Sequence, residues 1–182
     1  MEFRRCYISR CYPHQLTGGF KAKTDIEEIM RQNGFYNLGL PQKINNNKIY
    51  IFIHNLLSYI IAAFSIKRHD IIVLQYPLKK YFYLLSLIAK IKNANTIVLI
   101  HDLGCFRRKK LNLEKERKRL SKTHHLIVLS DKMKEFVLQN EYKQTVSVLH
   151  LWDYINNTTA QERICYQTGR PQVLVVGKFS NN

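Results

Sequence analysis

Three short runs constrain this chain more than anything else in it: IIVLQ at residues 71–75, TIVLI at 96–100 and LIVLS at 126–130. Each is apolar throughout instead of alternating, each is rich in β-branched residues, and helical patterns separate them. Strands of this kind are covered on both faces, and strands that alternate with helices form parallel βαβ units. The pattern predicts an α/β fold, a Rossmann-like parallel sheet with helices on both faces. A length of 182 residues, 46% of them apolar and 23% charged, suffices for one full core and is short for two.

The rest of the chain fits that frame. Strands are expected over residues 3–9, 35–38, 70–76, 96–101, 125–130 and 146–149, the third of these stopped by Pro77. Helices are expected over 24–33, closed by Gly34, and over 49–66, 80–91 and 112–121, with a last one capped by Asp131 and running to about residue 140. Residues 1–150 then form one Rossmann-like domain, 151–171 have linker character, and a final apolar strand is expected over 173–176, followed by Gly177. The segment 49–66 has 18 residues without Asp, Glu, Lys or Arg, enough to cross a bilayer. Its apolar residues, Ile49, Phe52, Ile53, Leu56, Leu57, Ile60, Ile61 and Phe64, recur at helical spacing, with His54, Asn55, Ser58, Ala62 and Ser65 on the other side. We therefore expect a helix that lays its apolar stripe on the sheet.

Charge is the compositional anomaly. Lys and Arg total 29 against 13 acids, a net charge of +16, which points to anionic partners: nucleic acid, anionic lipid or phosphate-bearing substrates. Nine of the basic residues lie in 107–122, beside only Glu114 and Glu116. A solvated helix face is the plain reading of that run, and an anionic membrane surface is the partner it best fits. No nucleic-acid-binding signature is present and the aromatics form no stacking series, so no nucleic acid is expected. Cys6, Cys11, Cys105 and Cys165 form no CxxC pair and read as free thiols, and no His, Cys, Asp and Glu set has metal-ligand spacing. The opening MEFRRC lacks the apolar run of a secretory signal, which points to a cytoplasmic protein.

In open parallel sheets ligands bind beyond the carboxyl ends of the strands. There the sequence places Tyr12 to Gly19, then Gln75-Tyr76-Pro77, then His101-Asp102-Leu103-Gly104, then Ser130-Asp131-Lys132. Gly18-Gly19 reads equally as a backbone approach to a phosphate or sugar and as a flexible turn. It belongs to no GxxxxGK[ST] or GxGxxG motif. His101 can hydrogen-bond a sugar hydroxyl or move a proton, and Asp102 can orient a partner; a structural His followed by a capping Asp explains the same residues. His124-His125 precedes a strand, at the opposite edge, and reads as structural.

The pieces IIVLQYP, IVLIHDLGCFR, LIVLS and VLVVGKFSNN resemble the bacterial galactofuranosyltransferases and the related glucosyltransferases of adhesin glycosylation. The resemblance implies the N-terminal half of a GT-B fold, with two Rossmann-like domains facing each other across a cleft. It implies transfer of a sugar from a nucleotide-sugar donor, a UDP-sugar, to a glycan, lipid-linked or protein-linked acceptor in surface polysaccharide or glycoconjugate synthesis. His101 and Asp102 then match the catalytic positions, and Gly18, Gly19, Gln75, Tyr76, Arg107 and Ser130 the substrate-binding ones. Neither a metal nor a cofactor is implied. The resemblance makes 172–182 the first strand of the donor-binding domain, with the rest of that domain expected beyond residue 182, so that this chain alone is expected to be inactive. The location expected is cytoplasmic, peripheral on the inner face of the membrane through residues 107–122, with self-association left open. A non-catalytic basic α/β module that binds anionic membrane or nucleic acid is the alternative.

Overall fold

The computed structural model describes residues 3–13, 18–78, 81–107 and 112–150, with only the backbone described at 18–19 and 106–107. The order along the chain is β1 (Arg5–Tyr7), β2 (Cys11–Tyr12), α1 (Gly18–Gln32), β3 (Tyr36–Asn37), β4 (Lys43–Ile44), α2 (Lys48–Ser65) and β5 (Ile71–Tyr76). It continues with α3 (Tyr81–Ile91), β6 (Asn95–Ile100), α4 (Gly104–Arg107), α5 (Leu113–Leu120), β7 (His125–Val128), α6 (Asp131–Gln139) and β8 (Thr145–Val148). The expected linker at 151–171 and the strand at 173–176 lie outside the described residues.

Six strands form one parallel sheet in the order β3-β1-β5-β6-β7-β8, and β2 pairs with β4 in a small parallel ladder beside it. The first crossover, β1 to β3, runs one way along the sheet; every later one runs the other way. Right-handed crossovers then place α1 on one face and the remaining helices on the other. The packing agrees. Tyr7 and Leu99 meet Ile26 and Met30 of α1. Cys6, Ile72, Leu74, Val98, Ile100, Leu126 and Val128 point the opposite way and share a core with Tyr59, Ala62, Phe82, Leu85, Leu120 and Val137. Helices thus cover both faces, as the unbroken apolar strands predicted.

One expectation is inverted. Helix α2 buries His54, Asn55, Ser58, Tyr59 and Ala62. The stripe Ile49, Phe52, Ile53, Leu57, Ile60, Ile61 and Phe64 is exposed instead. The cause lies in the neighbouring strands. The first strand, expected unbroken over 3–9, ends at Tyr7 and resumes as β2 at Cys11, so the backbone between lacks regular ladder partners. Buried backbone groups must be paired. The Asn55 side chain accepts from Cys11 N (2.8 Å) and donates to Cys11 O (3.1 Å). Ser58 Oγ donates to Ser9 O (2.9 Å) and accepts from Leu40 N (3.1 Å). The polar side of α2 is the side that can satisfy a broken strand. Gly39 permits the approach, because a Cβ there would run into the Ser58 side chain.

Two smaller differences concern caps. Helix α1 starts at Gly18 instead of residue 24. Helix α6 is capped by Ser130, whose hydroxyl accepts from Met133 N (3.2 Å), and Asp131 stands in the first turn.

Candidate functional site

Strand order reverses between β1 and β5, since their connections leave in opposite directions. This opens a crevice at their carboxyl ends, the usual ligand position in such sheets. Several of the sequence-predicted residues stand at this edge. Gly18 and Gly19 open α1. Gln75 and Tyr76 end β5, followed by a cis Tyr76-Pro77 bond. His101 follows β6, and its backbone N–H continues the ladder to Tyr76 O at 3.1 Å.

Side-chain alternation then divides the labour. Gln75 and His101 stand on adjacent strands and face α1. The Gln75 Nε2 donates to Lys23 O in the second turn of α1 (3.1 Å), which aims its Oε1 at His101 Nε2, 2.8 Å away. An amide oxygen only accepts, so Nε2 of His101 carries the proton and Nδ1 is the basic nitrogen. Burial, with the Lys23 charge second, pushes the imidazole pKa down to about 4. His101 is therefore a neutral ring with one fixed tautomer at neutral pH.

Tyr76 and the turn after β6 face the other way, onto a residue that the sequence reading left in the solvent. Glu116 of α5 is fully buried. It accepts from Tyr76 Oη (2.7 Å), Gly104 N (2.8 Å) and Cys105 N (2.9 Å). Burial and this bond raise the Tyr76 pKa. One side chain thus ties the end of β5 to the turn that follows His101. Tyr76 is 3% exposed and packs edge-on against Phe82, so it supports the site from beneath. A signal for Glu116 was available: it sits between Leu113 and Leu120 at inward helical spacing.

A second buried acid holds the other wall. Glu27 of α1 accepts from Ser9 Oγ (2.5 Å) and Tyr12 Oη (2.6 Å), which clamps α1 to the segment after β1. Burial raises its pKa to about 7. Asp102 is half-buried in the turn after His101. Arg107 closes α4, and its side chain lies outside the described residues. Ser130 stands apart from the Gln75–His101 pair, at the end of β7, with its hydroxyl engaged as the α6 cap. His124, at the opposite edge, accepts from Thr96 N through Nδ1 (3.0 Å). Among the described residues no group of His, Cys, Asp and Glu could hold a metal ion, and Cys6 and Cys11 are buried free thiols.

A Rossmann-like parallel sheet with polar side chains converging at its switch point is a frame on which ligand sites are commonly built. Residues 5–151 match the family described as glucosyltransferase 3-like, N-terminal domain, and the chain belongs to that family. No curated protein matches it.

Proposed function

We propose that this domain is the acceptor-side wall of a GT-B glycosyltransferase that moves a hexose from a nucleotide-sugar, a UDP-sugar, to a glycan, lipid-linked or protein-linked acceptor. The observation that carries the reading is the Gln75–His101 pair, fixed between α1 and the strand ends at the sheet's switch point. Family membership supports the class of reaction. In this reading the His101 ring, held by Gln75, is the group of this wall that faces a sugar hydroxyl. A ring with so low a pKa is a weak base, so its work is to orient the hydroxyl in one polarity. Gln75 positions His101, and Glu116 positions Gln75's strand end through Tyr76. Gly18-Gly19 line the cleft where the backbone must come close, and Asp102 and Arg107 complete the His101 turn. The enzyme works in surface polysaccharide or glycoconjugate synthesis, on the cytoplasmic side of the membrane, with glucose the first donor to assay and galactofuranose the second.

Amide shift mapping on the labelled chain tests the site without requiring catalysis. Titration with a UDP-sugar and with an oligosaccharide acceptor should shift the resonances of Gly18, Gly19, Gln75 and His101. Shifts confined to α5 or α6 would place the ligand elsewhere and remove the reading.

A further inference from the structure

The inverted helix leaves an apolar surface that takes no part in the Gln75–His101 site. Eight large hydrophobic side chains of α2 are exposed, Tyr50 among them, with Ile49 (70%) and Phe64 (82%) the most open. The face continues onto α3, where Leu84 and Ile91 are also exposed and a groove runs between the helices, lined by Ile60, Ala63, Phe64, Leu84, Ile88 and Ile91. A contiguous apolar face of this kind marks a contact with another body.

Charge identifies the body. From Ile29 to His101 the sequence holds a single acid, Asp70. Asp70 is buried and neutralised by Arg4, at 2.6 Å. Lys48 is exposed at the start of α2, and Lys67 and Arg68 are exposed just past its end. Lys67, Arg68 and Lys92 share one depression with Ile91. Lys122 reaches Tyr83 of α3, its Nζ 4.0 Å from the ring centroid. The apolar stripe is therefore rimmed by cations with no exposed acid among them. A second copy of the chain would set this rim against itself, in a protein that already carries a net +16. An anionic bilayer complements both parts, taking the apolar stripe at the acyl boundary and the lysines at the headgroups.

We propose that the α2–α3 face docks on an anionic membrane surface, with α2 lying in the interface plane. Helix α2 is long and apolar enough to cross a bilayer, but its Asn55 and Ser58 bonds to the β1–β2 segment fix it to the sheet. The inference does not rest on the transferase reading, and vesicle binding is measured without sugar transfer.

The test is co-sedimentation of the full chain with vesicles of phosphatidylcholine alone or mixed equally with phosphatidylglycerol. Wild type should bind the mixed vesicles and not the neutral ones. The pair Phe64→Ser and Ile91→Ser removes exposed apolar contacts at constant charge and should weaken binding at least about tenfold. The pair Leu57→Ser and Ile61→Ser should do the same, an independent check should the first variant fold poorly. Lys115→Glu with Lys118→Glu, on α5, should weaken binding less than about threefold. The proposal is overturned if wild type ignores anionic vesicles, or if the serine variants bind as wild type does. It is overturned equally if wild type sediments as a dimer that the serine variants return to monomer, because the face would then belong to a second copy.

Discussion

His101 and Gln75 show how little of a site one side chain explains by itself. A histidine at a strand end was visible in the sequence; its protonation state was not, because that depends on Gln75, a strand away, and on Lys23 of α1. The fixed amide and the buried ring predict an imidazole that stays neutral on acidification to about pH 5, by NMR titration of the ring resonances, since its pKa lies near 4. Gln75→Glu puts a carboxylate beside Nε2 and should raise the His101 pKa to about 6 or higher; an unchanged pKa would break the pairing. Glu116 is the complementary case. It was counted as part of a charged helix, yet it is itself buried and accepts from the buried Tyr76 hydroxyl and from the half-buried N–H groups of Gly104 and Cys105. Glu116→Ala removes the carboxylate that all three donate to and should cost on the order of 3–5 kcal/mol in denaturant unfolding. Tyr76→Phe, which removes one of them, should cost about 1–2 kcal/mol.

Among the elements, the strands of the central sheet were legible because burial on both faces writes itself into composition, as in IIVLQ and TIVLI. The orientation of α2 was not. Periodicity shows that a helix has two unlike faces, and the hydrophobic effect by itself assigns the apolar one to the core. It cannot show that β1 breaks near Ser9, that the backbone there needs partners, and that Asn55 and Ser58 supply them. Asn55→Ala should therefore destabilise the fold by about 1–3 kcal/mol despite lying in the expected solvent-facing set. Gly39→Ala should cost a comparable amount, about 1–3 kcal/mol, by forcing a Cβ against Ser58. Thermal or urea unfolding of both checks the account of why α2 is turned over; a neutral Asn55→Ala contradicts it. The charged helix α5 was legible as an element and misjudged in its inward face, where a glutamate stands in a leucine position.

For the whole molecule, two buried groups give stability opposite dependences on pH. Glu27 has a folded pKa of about 7 against 4.5 for the ordinary carboxyl, so between these values the folded state binds more protons and gains stability as pH falls. His101, at about 4 against 6.5, binds fewer protons when folded, so stability is lost as pH falls through that window. Comparing wild type with Glu27→Gln should isolate the first effect: the advantage of wild type should grow by on the order of 2 kcal/mol from pH 8 to pH 5. A flat difference curve would mean that Glu27 titrates normally. At the same scale, the broad architecture was readable because a parallel sheet fixes where its ligand crevice lies once strand order is known. The strand order itself, and with it the switch point between β1 and β5, came only from the structure.

The central claim is that the carboxyl edge of the sheet around His101, and not the opposite edge, faces the transferred sugar. Hexose transfer from a UDP-sugar, measured in the full product of the gene, tests it most directly by comparing His101→Ala with His124→Ala at matched folded fraction. Loss of the orienting ring should lower kcat/KM for His101→Ala on the order of a hundredfold, while His124→Ala stays within about threefold of wild type. Equal activities of the two variants, or transfer by His101→Ala at the wild-type rate, would contradict the account.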